Sequence, residues 1–217
     1  MISMQRLSIA AVLAVGTAGA SLLISSAPSQ AASLVWGFSS GNDCSGVFGQ
    51  GFGNCEVNGS PVIAKFDYEK TGVEIEINSA AYPSVDGAEW SFAPEGAATG
   101  TWSYTPGAGD PGIKYWVAKG GPGFNLFYMI EGDAGSCLGA MAFTAGCLSQ
   151  AITTTSGEWF TPPAPGPSGN QSGLSHLTFY NTGDDNGGNG PTVPEPGLIL
   201  GLGAVGLAGA GSRLRRA

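Results

Sequence analysis

Paired carboxylates are the first residues of this sequence that suggest chemistry, because a glycoside hydrolase needs two of them on opposite sides of a sugar. Glu74 and Glu76 lie two residues apart in an alternating segment, so both side chains point to the same face of a strand. Asp67 and Glu69 have the same spacing. Such neighbours stand side by side towards solvent, so the spacing favours a solvated surface over a hydrolytic pair.

The single histidine is the next candidate for catalysis. His176 directly follows Ser175 within a strand-forming segment, and adjacent strand residues point to opposite faces. The pattern therefore favours a structural histidine that forms hydrogen bonds in the last strand, rather than a member of a hydrolase triad, and no catalytic residue is predicted.

Aromatic side chains offer a binding chemistry. Trp102 and Tyr104 alternate with small polar residues, so both rings are predicted to share one face of a strand. Trp116 and Trp159 can extend that face if they lie nearby. Two interpretations follow: the rings stack on a glycan, or they pack in the core as aromatic side chains commonly do. Core packing is favoured and glycan stacking is kept as the alternative.

Metal chemistry finds little support. The acidic run around Asp184, Asp185, Asn186 and Asn189 lacks the spaced ligands of a calcium loop, and we interpret residues 181–192 as a flexible linker. Zinc is improbable because the chain has one histidine and no Cys-x-x-Cys spacing. No metal and no cofactor are predicted.

The amino terminus has the pattern of a secretory signal. One cation, Arg6, precedes an uncharged apolar run from residue 7 to residue 24. Small residues then lead to a cleavage site after Ala31, so residues 1–31 are predicted to be a signal peptide with a helical core, recognised by the Sec export machinery. An uncleaved signal anchor is the alternative.

The carboxyl terminus has a second hydrophobic segment. Residues 197–211 are apolar and uncharged, and Arg213, Arg215 and Arg216 follow at once. At about 1.5 Å per residue the stretch is near the short limit for crossing a bilayer. The arginines are expected to remain cytoplasmic under the positive-inside rule, so a transmembrane helix is predicted here.

The residues before this helix carry a resemblance to a known sorting signal. Pro194, Glu195 and Pro196 precede the apolar helix and the terminal arginine cluster, and this order resembles the PEP-CTERM sorting signal of Gram-negative bacteria. The resemblance covers residues 193–217. It implies processing by an exosortase and delivery from the membrane to the cell surface or its exopolysaccharide, and it implies nothing about the middle of the chain.

The middle of the chain is strongly acidic. Between residues 33 and 190 four lysines stand against fifteen carboxylates, which gives a formal net charge of −11. Nucleic acid is therefore excluded as a partner on electrostatic grounds. The length of residues 33–180 suits one domain with a sizeable core.

Export also places four cysteines in an oxidising compartment, where disulfides are expected. Four cysteines allow three pairings. Cys44 with Cys55 and Cys137 with Cys147 is favoured, because each pair brackets a short glycine-containing loop that closes easily.

Strand patterns dominate the domain, since glycine and proline interrupt it at short intervals and no helical period persists for three turns. Eight strands predict an all-β, antiparallel, jelly-roll-like sandwich. The predicted strands are residues 34–38, 62–68, 73–77, 100–104, 113–118, 124–130, 158–161 and 174–180. Short turns at residues 69–72 and 120–123 predict two hairpins.

These features together predict a non-enzymatic, exported protein of the cell surface or extracellular matrix. Exopolysaccharide is the candidate ligand of the central domain. A secreted carbohydrate-active hydrolase and a purely structural matrix protein are the alternatives. A binding module that stacks sugars needs Trp102 and Tyr104 exposed, a matrix protein predicts them buried, and a hydrolase needs two carboxylates that converge in a cleft.

Overall fold

The computed structural model describes residues 31–165 and 170–181. Apart from Ala31 and Asn181 at their ends, the predicted signal peptide (1–31) and linker (181–192) lie outside the described residues. The sorting tail (193–217), with its Pro-Glu-Pro triplet and arginines, also lies outside them. No helix within the described ranges has the length and apolar character needed to cross a membrane.

The described chain is mostly antiparallel β-sheet, as the sequence predicts. The eleven strands are β1 (Ala32–Ser40), β2 (Glu56–Val57), β3 (Ser60–Glu69), β4 (Gly72–Ile77), β5 (Trp90–Ala93), β6 (Thr99–Tyr104), β7 (Tyr115–Gly120), β8 (Gly123–Glu131), β9 (Ala151–Ile152), β10 (Ser156–Phe160) and β11 (His176–Tyr180). The described residues also form one short α-helix, α1 (Ala145–Leu148), and four 3-10 helices at Phe52–Asn54, Gly87–Glu89, Gly135–Cys137 and Gly139–Phe143. Each of the eight predicted strands overlaps an observed one; β2, β5 and β9 were not predicted.

Two sheets form a sandwich-like arrangement. The larger sheet has eight strands, in the order β1-β8-β7-β11-β3-β2, with β4 also paired to β3 and β9 to β8. The smaller sheet has the order β10-β6-β5. Both predicted hairpins are present, since Glu69 pairs with Gly72 and Gly120 pairs with Gly123.

The larger sheet is covered on both faces, because side chains alternate along its central strands. On β8 and β11, Phe127 and Phe179 belong to one core with Trp102 and Trp159 of the smaller sheet. Tyr128 and Tyr180, the next residues along, belong to a second core. We call the face beneath the smaller sheet the front face, and the opposite one the back face.

Two irregular segments, each closed by a disulfide, cover the back face. They contain residues 44–55 and 137–147, and we call them the back-face cover. Cys44 bonds to Cys55 and Cys137 bonds to Cys147, which confirms the predicted pairing. All four cysteines are buried in the back-face core beside partly buried phenylalanines. The second segment lies so close to β1 that a Cβ atom at Gly37 would be 2.3 Å from the carbonyl oxygen of Gly139. The close packing of the back face therefore requires glycine at position 37, and the two disulfides hold the segments that cover it.

Candidate functional site

The predicted stacking rings lie in the core between the two sheets. Trp102, Tyr104 and Trp116 are 2%, 3% and 0% exposed. Trp102 packs edge-on against Trp116, with ring centroids 5.1 Å apart, and Tyr104 stacks on Trp90 at 4.0 Å. Core packing, the favoured interpretation, therefore accounts for these side chains. The alternative of a stacking platform is wrong, because a ring enclosed on both sides offers no face to a sugar.

The carboxylates of β3 and β4 separate into two kinds. Glu74 and Glu76 are exposed on β4, as their spacing predicts. Asp67 differs from the prediction, because it is half-buried and its Oδ2 atom lies 2.7 Å from the Lys65 ammonium. Its Oδ1 atom lies 3.5 Å from Nδ1 of His176. Asp67 is therefore part of an ionic network.

A buried carboxylate forms the centre of this network. Asp43, beside the first disulfide, receives bonds from three residues that share the back face of β11. His176 Nε2 lies 2.9 Å from Asp43 Oδ1, and the hydroxyls of Thr178 and Tyr180 donate to Oδ2 at 2.7 Å and 3.1 Å. The Tyr180 hydroxyl also lies 3.5 Å from both sulfurs of the disulfide. We call Asp43, His176, Thr178 and Tyr180 the aspartate clamp.

The charges of the aspartate clamp stabilise one another. Burial opposes ionisation of Asp43. The hydrogen bond and the charge of His176 outweigh this effect, with further hydrogen bonds from Thr178 and the backbone of Cys44. Together they hold the pKa of Asp43 far below its ordinary value. Burial also opposes charge on His176, but Asp43 and Asp67 outweigh that effect and raise its pKa. The imidazolium can then donate from both nitrogens, one to each carboxylate.

The aspartate clamp holds structure together and has no arrangement for catalysis. Ser175, the nearest hydroxyl in sequence, is exposed while His176 is buried, as their adjacency predicts. Burial and the nearby charge of Asp43 raise the pKa of Tyr180 well above its ordinary value, so its hydroxyl stays protonated and donates. Both oxygens of Asp43 are occupied by protein donors. The group therefore ties the Cys44–Cys55 segment to β11.

A second pair of carboxylates lies close together near β5. An added Cβ atom at Gly107 would meet Asp110 Oδ2 at 2.6 Å and Glu89 Oε1 at 3.0 Å. Asp110 accepts a hydrogen bond from Ser84, and Glu89 accepts from the backbone of Gly107. Burial, together with the charges of Glu89 and Asp110, raises the pKa of Tyr104. These carboxylates are engaged in holding loops.

An open cleft of about 570 Å³ lies along the smaller sheet and reaches the larger one. Its lining is mostly hydroxylic and apolar. The lining residues are Leu34, Ser91, Ala93, Thr101, Trp102, Ser103, Met129, Ser156, Gly157 and Glu158. The strand register brings the hydroxyls together, because Ser103 pairs with Ser91 on one side and with Ser156 on the other.

Two polar details distinguish this hydroxyl cleft. The Ser91 and Ser103 hydroxyls are exposed and hydrogen-bond to each other at 2.7 Å. The Trp102 indole N–H has no acceptor among the described residues, although it is buried. Gly157 stands opposite Trp102, and a side chain there would approach the indole nitrogen to 2.9 Å. Glu158 is the one charged side chain among the lining residues that the structure describes.

Sequence reasoning missed the cleft and the centre of the aspartate clamp. Ser91, Ser103 and Ser156 are far apart in the chain and form no motif, so only the strand register assembles them. Asp43 meets His176 across 133 positions. The sequence signal for Asp43 was its position directly before Cys44. This position alone does not show that Asp43 contacts β11, because the contact depends on the fold.

Within the described ranges, no group of three histidine, cysteine, aspartate or glutamate side chains is arranged to hold a metal ion. Comparison of the chain with known protein families, with curated proteins and with solved structures gives no significant match. The functional argument therefore depends on the chain's own residues.

Proposed function

We propose that this protein is an exported, non-enzymatic component of the cell surface or extracellular matrix, and that its domain binds exopolysaccharide in the hydroxyl cleft. The observation that carries the binding proposal is the row of exposed serines, Ser91, Ser103 and Ser156, set beside apolar side chains. Sugars present many hydroxyls and small apolar ring faces, so a cleft with both kinds of surface suits them.

The charge of the cleft favours neutral sugars. Glu158 is its one described ionic group, and the domain around it is acidic. An anionic polysaccharide would meet repulsion, whereas a neutral or N-acetylated one would not. Binding should accordingly change little with salt concentration, because no ion pairs form.

The cleft supports binding rather than hydrolysis. Retaining and inverting glycosidases use two carboxyl groups on either side of the scissile bond. The described lining of the cleft contributes one, Glu158. Asp110 and Glu89, which lie close together elsewhere, are engaged with Ser84 and with the Gly107 backbone. A non-enzymatic role is therefore the proposal that these residues favour.

Removing the paired hydroxyls tests the proposal. A Ser91→Ala, Ser103→Ala double variant should bind exopolysaccharide from the producing cells about tenfold more weakly, since each lost hydrogen bond contributes about 0.5 to 1.5 kcal/mol. Co-sedimentation with the insoluble polysaccharide measures the retained fraction. The matched control is Ser45→Ala, Ser149→Ala, two exposed serines of the back-face cover. Equal retention of all three proteins would refute binding in the cleft.

A purely structural matrix protein is the second candidate. The burial of Trp102 and Tyr104 favours it, because a stacking module requires those rings at the surface. The retained fraction of the Ser91→Ala, Ser103→Ala variant distinguishes the two candidates. A structural protein is retained through self-assembly, so substitutions in the cleft do not change the fraction that is retained.

The sorting part of the proposal depends on the tail outside the described residues. The predicted signal peptide supports export by the Sec machinery. The PEP-CTERM resemblance supports processing by an exosortase and passage through a membrane-anchored intermediate. The jelly-roll-like arrangement of the sandwich is likewise part of this proposal.

A further inference from the structure

Strand β1 lies at the edge of the larger sheet and pairs with β8 on one side. Gly132 N–H donates to Ala31 and Gly41 N–H donates to Pro122, so the odd-numbered residues of β1 direct their backbone groups towards β8. The even-numbered residues direct theirs outwards. Among the described residues, no strand pairs with this outer edge.

The side chains above the open edge are exposed and apolar. Trp36 and Phe38 are 38% and 47% exposed, and Leu34 is half-buried beside them. All three are even-numbered, so their side chains lie on the front face while their backbone N–H and C=O groups are open. A strand that joined the edge would therefore gain backbone hydrogen bonds and cover two aromatic rings.

Two other edge strands, β4 and β10, carry charges that discourage pairing. β4 has exposed Glu74 and Glu76, and β10 has Glu158. β1 is nine residues long and contains neither a charged residue nor proline. Edges without such protection are the ones that associate with further strands.

We infer that β1 pairs antiparallel with β1 of a second copy of this chain, about a two-fold axis at Trp36. The strand spans Ala32–Ser40, so Trp36 is its midpoint. Pairing about this midpoint sets Leu34 opposite Phe38 of the other copy and Trp36 opposite its equivalent. Every open backbone group of β1 is then satisfied, and the two larger sheets become continuous.

Charge and chain position both select a second copy as the occupant. Two copies of this acidic domain, residues 33–180 with a formal charge of −9, repel each other, so they can approach only at a surface without charge. The uncharged strand β1 is such a surface. It begins at Ala32, directly after the predicted cleavage site, so the signal peptide would not remain beside the edge once removed.

Such a pair has a consequence for ligand binding. A two-fold axis perpendicular to the sheet leaves both front faces on the same side, so the two hydroxyl clefts face the same direction. A long polymer could then occupy both, which raises its apparent affinity without any new contact. The pairing itself does not depend on the proposed function.

A proline substitution tests the backbone pairing. Phe38→Pro removes an outward N–H and leaves the hydrogen bonds between β1 and β8 intact. An edge strand tolerates such a proline, because the lost N–H faces away from the sheet. The substitution should weaken the dimer about thirtyfold, because two symmetry-related hydrogen bonds are lost. Phe38→Thr removes the same ring but keeps the N–H, and should weaken the dimer less. Analytical ultracentrifugation of the protein in the form that cells export measures both dissociation constants.

A cysteine substitution tests the register. Trp36→Cys should form a disulfide-linked dimer on export, since residues directly opposite in a hydrogen-bonded pair have Cα atoms about 5.5 Å apart, within disulfide range. Phe38→Cys faces Leu34 instead and should not crosslink. Equal crosslinking of the two variants would contradict the two-fold at Trp36.

A wild-type protein that stays monomeric at every concentration would overturn the inference. If that monomer dimerises only after residues 182–217 are removed, the tail occupies the edge and a second copy does not. Equal dissociation constants for Phe38→Pro and Phe38→Thr would also refute strand pairing. Because Phe38 does not line the cleft, polysaccharide binding by monomeric Phe38→Pro reports separately on the proposed function.

Discussion

A single buried carboxylate shows how one residue can unite distant parts of this chain. Asp43 is almost completely enclosed and receives donors from three residues of β11, so its charge is stable only while that strand is in place. Removing a partner leaves a buried charge without compensation, which is costly. The aspartate clamp should consequently be a main determinant of stability.

His176→Gln should lower the free energy of unfolding by about 3 to 5 kcal/mol, because glutamine cannot supply the positive charge beside buried Asp43. Urea denaturation followed by tryptophan fluorescence measures the change. Thr178→Val is the matched control on the same strand face; it removes one donor to the carboxylate and should cost about 1.5 to 3 kcal/mol. A His176→Gln variant as stable as the wild type would show that the clamp contributes little.

The pH dependence of stability follows from the shifted pKa values. The pKa of His176 is raised, so its contribution is complete below pH 6.5, its ordinary value, and is lost as the pH rises through the folded value. The pKa of Asp43 is lowered, so its contribution is present above 3.8 and is lost on acidification. Stability should therefore be greatest between about pH 4 and 6.5.

Unfolding free energies measured from pH 5 to pH 9 test this dependence. The wild type should lose stability across that range, whereas His176→Gln should lose much less, because its side chain does not titrate. The same slope in both proteins would contradict the assignment of a raised pKa to His176.

At this scale the sequence allowed one residue of the aspartate clamp, His176, to be predicted. Strand alternation indicated that His176 is structural and that Ser175 lies on the other side. It could not identify Asp43 as the partner, because that contact depends on how a disulfide-closed segment folds over the back face. The burial of Trp102 was the favoured expectation, since aromatic residues commonly fill such cores.

The two disulfides are the elements that replace regular structure on the back face. Each joins cysteines 10 or 11 positions apart and should contribute about 2 to 3 kcal/mol by restricting the unfolded chain. Their segments contain turns, short 3-10 helices and the four-residue helix α1, and almost none of their residues belong to a strand of either sheet.

Cys137→Ser, Cys147→Ser should lower the free energy of unfolding by about 2 to 3 kcal/mol and leave polysaccharide binding unchanged, because the bond lies on the face opposite the cleft. Cys44→Ser, Cys55→Ser should cost more, since this bond also lies against Tyr180 and next to Asp43. Urea midpoints of the two variants give the comparison. Equal losses would contradict a special role for the first disulfide in the aspartate clamp.

The regular strands were easier to predict than the covering segments, for a physical reason. Strands such as β4 show alternation between apolar and polar residues, which a sequence displays directly. β5 has only four residues and β2 and β9 have two each, too few for a period to emerge. The back-face cover has no period, so only its cysteine pairing was predicted and its position over the sheet was not.

For the whole molecule, the proposed sorting signal and the proposed binding site lie in different parts of the chain. Changing Pro194, Glu195 and Pro196 to alanine should leave an unprocessed chain in the membrane fraction, because the triplet is the expected recognition element of the exosortase. Immunoblotting of membrane and surface fractions measures the distribution. Normal processing of the variant would contradict the resemblance to a PEP-CTERM signal.

The fold class and the acidic character of the domain were accessible from composition and alternation. The hydroxyl cleft was not, because it exists only where β5, β6 and β10 come into register beside β1 and β8. A binding site assembled from single serines on separate strands has no signature in a single sequence. The proposed binding of exopolysaccharide consequently depends on geometry more than on any motif.

Chemical-shift mapping tests the central claim, that the hydroxyl cleft binds exopolysaccharide, most directly. Oligosaccharides released from the producing cells' exopolysaccharide are added to the ¹⁵N-labelled protein. We expect saturable shifts in the backbone amides of Ser91, Thr101 and Ser103 and in the Trp102 indole, with Ser45 and Ser149 on the opposite side unmoved. Unchanged cleft signals at saturating sugar, or shifts confined to the back-face cover, would contradict the account.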